Sequence, residues 1–290
     1  MKNLLLTLTI LLALSGCRRS KFESDYEKLS YDGETRSYLL HVPSTYDQDS
    51  LTPLVIALHG GTGSAKNIEQ QSGLPNLSDE KGFILCSPNG IKKTWNAGWC
   101  CGKANENDVD DVGFIDALID EISAQYSIDP NRIFVTGMSN GGMMSYRLAC
   151  ELGDRIAAIA PVAGTMVLDC EPSTVVSIIH FHSYEDSNVP WDRGIGDGLS
   201  DHYNPPLDSV LYSWALHNEC IEVNSINTDE YDLIEWNGCN DGTDIQLYLT
   251  NDGGHSWPMG TKPRNKADEP SQAVNANELM WEFFEAHAKQ

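Results

Sequence analysis

A serine sits between glycines in Gly137-Met138-Ser139-Asn140-Gly141, inside the stretch VTGMSNGGMMSYRLAC. A serine hydroxyl is a weak nucleophile until a neighbouring base takes its proton and an acid orients that base. Residues able to do this for Ser139 follow it along the chain. Asp186 closes VVSIIHFHSYED, an apolar run that turns polar at its carboxyl end, with Glu185 as the competing acid. His255 follows IQLYLTNDGG, where Gly253 and Gly254 let the chain bend and swing the imidazole back toward the serine. Nucleophile, acid and base in this order, each after a strand-like run, point to attack on a carbonyl carbon. That chemistry builds negative charge on the carbonyl oxygen. PLVIALHGGTGS ends a buried-strand pattern in a glycine-rich turn, so the backbone N–H groups of Gly61 and Thr62, with that of Asn140, are the candidate oxyanion donors.

The elements around these residues must place them together. Strand-like runs occur at 36–42, 54–59, 83–87, 132–136, 156–162, 175–182, 231–236 and 245–250. Several are continuously apolar, as strands covered on both faces are. Helical spacing appears at 112–126, where Ile115, Leu118, Ile119, Ile122 and Tyr126 form one stripe after a capping Asp110 or Asp111. Further helices are predicted at 140–152, 209–217 and about 272–288. The alternation implies an α/β domain with a mostly parallel central sheet and helices on both faces. Ligands of such sheets lie beyond the carboxyl ends of the strands. Ser139 then sits at a sharp turn from the RIFV strand into the NGGMMSYRLACEL helix.

The 290 residues include 19 basic and 42 acidic ones, a net charge of −23, spread along the chain. Such a surface repels phosphate backbones, so nucleic acid is excluded as a partner. MKNLLLTLTILLALSGC has a lysine, a short apolar run and then Leu14-Ser15-Gly16-Cys17, which resembles a bacterial lipobox. The expectation is a lipoprotein signal at 1–17, lipidation at Cys17, a tether at 18–27 and a folded domain at 28–290. The product would be exported and anchored at the cell envelope, at the outer membrane or cell surface. Export permits disulfides. By spacing, Cys150 with Cys170 and Cys220 with Cys239 are the candidates, while Cys86, Cys100 and Cys101 leave one thiol over. No CxxC pair or HExxH motif is present, so neither a metal nor a cofactor is expected.

In order, the chain carries HGGTGS, SPNG, TWNAGWCCGKANENDVDDVGFI, GMSNGG, HFHSYED, ECIEVN…WNGC and GGHSWP. These resemble the esterase/depolymerase branch of the α/β-hydrolases. That branch holds the feruloyl and acetylxylan esterases of carbohydrate esterase family 1 and polyhydroxybutyrate depolymerase-like proteins. The resemblance runs from about residue 26 to residue 287. It implies an α/β-hydrolase catalytic domain, Ser139, Asp186 and His255 as the triad, and a disulfide between Cys220 and Cys239. The expected activity is a serine esterase acting on acylated plant or algal polysaccharide or oligosaccharide, feruloyl first and acetyl next. The alternatives are a hydrolase of polyester oligomers and, in another class, a non-catalytic envelope binding lipoprotein. Two stretches depart from the family pattern: HSYED where HGTAD is usual, and the charged MGTKPRNKADEP at 259–270. Trp95, Trp99, Trp191 and Trp257 flank the motifs, either as a cleft edge suited to a sugar or phenolic ring or as core, and Trp95, Tyr184 and Trp257 are the candidates for the substrate pocket. His59 and His182 are expected to brace loops, and His41, His180, His202, His217 and His287 to be structural or superficial.

Overall fold

The apolar runs become the middle of one sheet. A computed structural model describes residues 26–198 and 201–289; the signal at 1–17 with Cys17 lies outside the described residues, as does most of the tether. The strands are β1 (Glu27–Tyr31), β2 (Glu34–His41), β3 (Thr52–Leu58), β4 (Ile84–Pro88), β5 (Ile128–Met138), β6 (Ala158–Val162), β7 (Ser177–Ser183), β8 (Glu222–Asn227), β9 (Tyr231–Asn237) and β10 (Ile245–Thr250). Their spatial order is β1-β2-β4-β3-β5-β6-β7-β10-β9-β8. The stretch from β4 to β10 is parallel, and antiparallel pairs finish both edges. The helices are α1 (Ala65–Ser72), α2 (Leu74–Lys81), α3 (Gly102–Glu106), α4 (Asp111–Gln125), α5 (Asn140–Glu151), α6 (Leu207–His217) and α7 (Ala276–Ala286).

Alternation along each strand splits the core into two layers. Leu54, Ile56 and Leu58 of β3 pack on one face with Ile115 and Ile119 of α4, Leu148 of α5 and Trp214 of α6. Val55 and Ala57 face the other way, toward Ile68, Leu77, Trp281 and Phe284 of α1, α2 and α7. The fold is thus an α/β sandwich with a largely parallel sheet. Ser139, Asp186 and His255 follow β5, β7 and β10, so all three lie at the carboxyl edge of one parallel block.

Three sulfur bridges occur among the described residues. Cys150 bonds Cys170 and ties the end of α5 to the segment before β7. Cys220 bonds Cys239 and joins the flanks of the β8–β9 hairpin. The neighbours Cys100 and Cys101 bond each other, which leaves Cys86 as a buried free thiol.

Candidate active site

The strand-to-helix turn explains both glycines around the serine. Ser139 has φ 56° and ψ −119°, a strained backbone for a residue with a Cβ. A Cβ at Gly137 would lie 2.5 Å from the Gly141 carbonyl carbon and 2.9 Å from Leu58 Cβ. One at Gly141 would lie 2.6 Å from the Leu58 carbonyl carbon. The end of β3 and the start of α5 therefore touch backbone to backbone, and this contact lifts Ser139 to the sheet edge, partly exposed. Gly141→Ala must push β3 and α5 apart. We expect it to lower unfolding free energy by about 1–3 kcal/mol in denaturant titrations and to reduce activity with it. A wild-type melting curve would contradict the contact.

The acid and the imidazole meet directly. Asp186 Oδ2 lies 2.8 Å from His255 Nδ1, which donates and leaves Nε2 free to accept a proton. Asp186 Oδ1 accepts the N–H groups of Asn188 and Val189, both at 2.9 Å. Burial alone would raise the Asp186 carboxyl, but the charge and hydrogen bond of His255 and the Val189 amide hold it below the usual carboxylate range. The competing Glu185 points to solvent. Among the described residues no hydrogen bond joins the Ser139 hydroxyl to His255; such contacts commonly tighten only with substrate bound. A further acid, missed from the sequence, holds the histidine's backbone: Asp268 Oδ2 accepts the His255 N–H at 2.7 Å. The charged 259–270 segment thus returns to brace the base. No local motif marks Asp268, because its partner is a main-chain group thirteen residues away.

The glycine-rich turn lies against the serine. A Cβ at Gly60 would sit 3.4 Å from Ser139 Cβ. Thr62 differs from expectation: with φ 64°, its N–H donates to the Lys93 carbonyl at 2.9 Å. That amide is engaged inside the protein, so the candidate oxyanion donors reduce to Gly61 and Asn140. Asn140 opens α5, where first-turn amides lack helical partners. Its side chain clamps Trp95 reciprocally, accepting from the Trp95 N–H at 2.7 Å and donating to the Trp95 carbonyl at 3.0 Å. His59 braces the same turn as expected: Nδ1 lies 2.8 Å from the Gly60 carbonyl and Nε2 accepts from the Gly90 N–H at 3.0 Å. Burial pushes His59 down to about 4, so it stays neutral.

The expected pocket residues are placed differently. Trp95 is fully buried, and its indole N–H donates to the His59 carbonyl at 3.0 Å. Trp257 is also buried, bonded to Asn277 at 2.9 Å within the α2/α7 layer. Both are supports beneath the site and offer no face to a ligand. Tyr184 donates to Asp232 at 2.5 Å and packs edge-on against Trp191, which fixes it as a strut. Among these motif aromatics, Trp99 is the open one, 43% exposed, with its indole 3.4 Å from the Tyr203 carbonyl. Cys100, Cys101 and His202 bring metal-ligating atoms within 4.8 Å of one another, yet the two sulfurs are bonded together and supply no thiolates.

The specific WCCG…VDDVGF motif builds the floor of this region. Asp110 caps α4 through the Gly113 N–H at 2.9 Å. Asp111 is fully buried, pairing with Arg36 at 2.6 Å and accepting the Asn96 N–H at 2.8 Å. Arg36 itself lies over the Phe114 ring at 3.8 Å.

A sharp strand-to-helix serine, an acid–histidine pair on later strands and a glycine-rich turn after β3 define an α/β-hydrolase. Residues 36–187, just over half the chain, match the esterase PHB depolymerase family. Probable feruloyl esterase C of Aspergillus terreus is 32% identical over 261 residues, spanning 86% of this chain and 83% of that protein. Feruloyl esterase B of Piromyces equi is 29% identical over 236 residues; the match covers 76% of this chain but 42% of that longer protein. Among solved structures, acetyl xylan esterase from Aspergillus awamori superposes with a TM-score of 0.62 at 15% identity, over 90% of this chain and 99% of that one. The chain belongs to the esterase PHB depolymerase family.

Proposed function

We propose that the protein is a serine esterase that removes acyl groups, feruloyl first and acetyl next, from plant or algal polysaccharide fragments. The observation that carries this reading is the contact of buried Asp186 with half-buried His255 at 2.8 Å, on the same sheet edge as the strained Ser139 turn. In the proposed reaction, Ser139 Oγ attacks the ester carbonyl as its proton passes to His255 Nε2. The developing oxyanion lies on the N–H groups of Gly61 and Asn140. His255 then returns the proton to the leaving alcohol, and the acyl group stays on Ser139. Water attacks this ester by the same route, again giving its proton to His255, and the free acid leaves. Asp186 holds the imidazole tautomer and offsets its transient charge. The names of several relatives support the feruloyl and acetyl ranking.

We also read the leader as directing export, with lipidation at Cys17 holding the enzyme at the envelope; the three disulfides suit an oxidising compartment. The family's depolymerase branch favours a second reading, hydrolysis of polyester oligomers. A soluble form beginning after Cys17 separates the two. We expect higher kcat/KM on methyl ferulate, then acetylated xylan, than on short hydroxybutyrate esters. Preference for the hydroxybutyrate esters would replace the first reading with the second, and no hydrolysis of any ester would leave a binding lipoprotein.

A further inference from the structure

A file of buried polar side chains runs behind Asp186, and the reaction above does not use it. It begins on α5, about two turns beyond Ser139, and ends at the turn carrying the acid. The Tyr146 hydroxyl lies 2.7 Å from His180 Nδ1, and His180 Nε2 lies 3.2 Å from His182 Nδ1. His182 Nε2 lies 2.8 Å from the Val189 carbonyl oxygen and 3.4 Å from Asp186 Oδ2. All three side chains are buried. Sequence alone reads His180 as structural or superficial. The usable signal is His-x-His in an apolar strand, which puts both imidazoles on one face of β7.

The direction of the file follows from its end. A carbonyl oxygen only accepts, so His182 Nε2 carries a proton. A neutral His182 then has a bare Nδ1, which accepts from His180 Nε2–H. His180 Nδ1 is bare in turn, and the Tyr146 hydroxyl donates to it. The reverse direction needs two protons on His182, a cation in a closed site. Burial lowers His180 and His182 and raises Tyr146, which keeps all three neutral.

We propose that Tyr146, His180 and His182 are positioning residues for Asp186, a one-way file of hydrogen bonds that locks its turn in the geometry His255 requires. The inference rests on the esterase reading of Ser139, Asp186 and His255. The turn is tied on its amide side, because Asp186 Oδ1 takes the Asn188 and Val189 N–H groups. His182 ties the carbonyl side through Val189, which is itself buried. With Oδ1 filled, Oδ2 faces His255 at 2.8 Å, and the edge of His182 is its second neighbour. Without His182 the Val189 carbonyl loses its partner and the turn is free to rotate Oδ2 off the imidazole.

The test uses the exported chain and a small aryl ester, with the folded fraction checked by near-ultraviolet circular dichroism. His182→Leu should lower kcat by about 10–100-fold, with KM within about twofold. His182→Gln, whose amide can still donate to the Val189 carbonyl, should recover most of that loss. Tyr146→Phe removes one donor at the far end and should cost about 2–10-fold. Nitrogen-15 spectra should show both imidazoles protonated on Nε2. Wild-type kcat in folded His182→Leu, a Gln variant no better than Leu, or an Nδ1-protonated His182 would overturn the file. Asp186→Asn separates the layers: an inactive Asp186→Asn beside a fully active His182→Leu removes only this inference, whereas an active Asp186→Asn removes the triad reading and the file together.

Discussion

Ser139→Ala should lower kcat for a small aryl ester by about 10⁴-fold or more and end labelling by a serine-directed fluorophosphonate. The size of the effect follows from how the site is divided. Asp186 and His255 are already bonded to each other, and neither reaches a carbonyl without the hydroxyl they serve. What survives is polarisation by the Gly61 and Asn140 amides, which alone gives slow attack by water. The fold should survive. The bond from the Ser139 backbone N–H to the Val162 carbonyl, at 2.8 Å, is open to alanine as well. The Gly137–Gly141 contact that shapes the turn does not involve the serine side chain. A thermal midpoint close to wild type is therefore part of the expectation. Near-full activity in this variant would remove the acyl-enzyme mechanism, whatever the substrate.

The parts of this site that sequence discloses are those written in local pattern and chain order. The buried strands β3, β5, β7 and β10 announce themselves by apolar runs, and Ser139, Asp186 and His255 each follow one. The cap at Asp110 and the stripe on α4 are equally local. What stays hidden depends on partners far along the chain. β8 is exposed throughout and pairs only with β9, so its residues carry no core pattern. β1 is short and half-buried at the opposite edge. Thr62 resembles a donor because its position in a glycine-rich turn is right; the Lys93 carbonyl that takes its N–H belongs to another loop. Trp95 and Trp257 flank catalytic motifs, yet an aromatic beside a site is as able to support it from below as to line it. Burial decides between these, and burial is a property of the whole fold.

The second large effect lies away from the reacting atoms. Asp111→Ala should lower unfolding free energy by about 3–5 kcal/mol, measured by denaturant titration, and lower activity in the fraction still folded. Asp111 and Arg36 are paired at 2.6 Å with almost no exposure on either side. Removing the carboxylate strands a guanidinium between Phe114 and the Asn89 carbonyl, which is 3.4 Å away and a weak partner. The pair costs something even intact: burial raises the Asp111 carboxyl despite the opposing Arg36 charge. Its presence is better explained by what else Asp111 holds. Its second oxygen accepts the Asn96 N–H, and Asn96 follows Trp95, the residue clamped by Asn140. Asn140 in turn carries a proposed oxyanion amide next to Ser139. Arg36→Met with Asp111→Leu separates the two roles. Replacing a buried ion pair by apolar groups of similar size is often neutral for stability, so the double variant should recover most of the lost stability. It should not recover kcat, because the Asn96 N–H still lacks its acceptor and the Trp95–Asn140 clamp loses its support. Full recovery of both would reduce the motif to a stability element; a loss under about 1 kcal/mol in Asp111→Ala would contradict the buried pair itself.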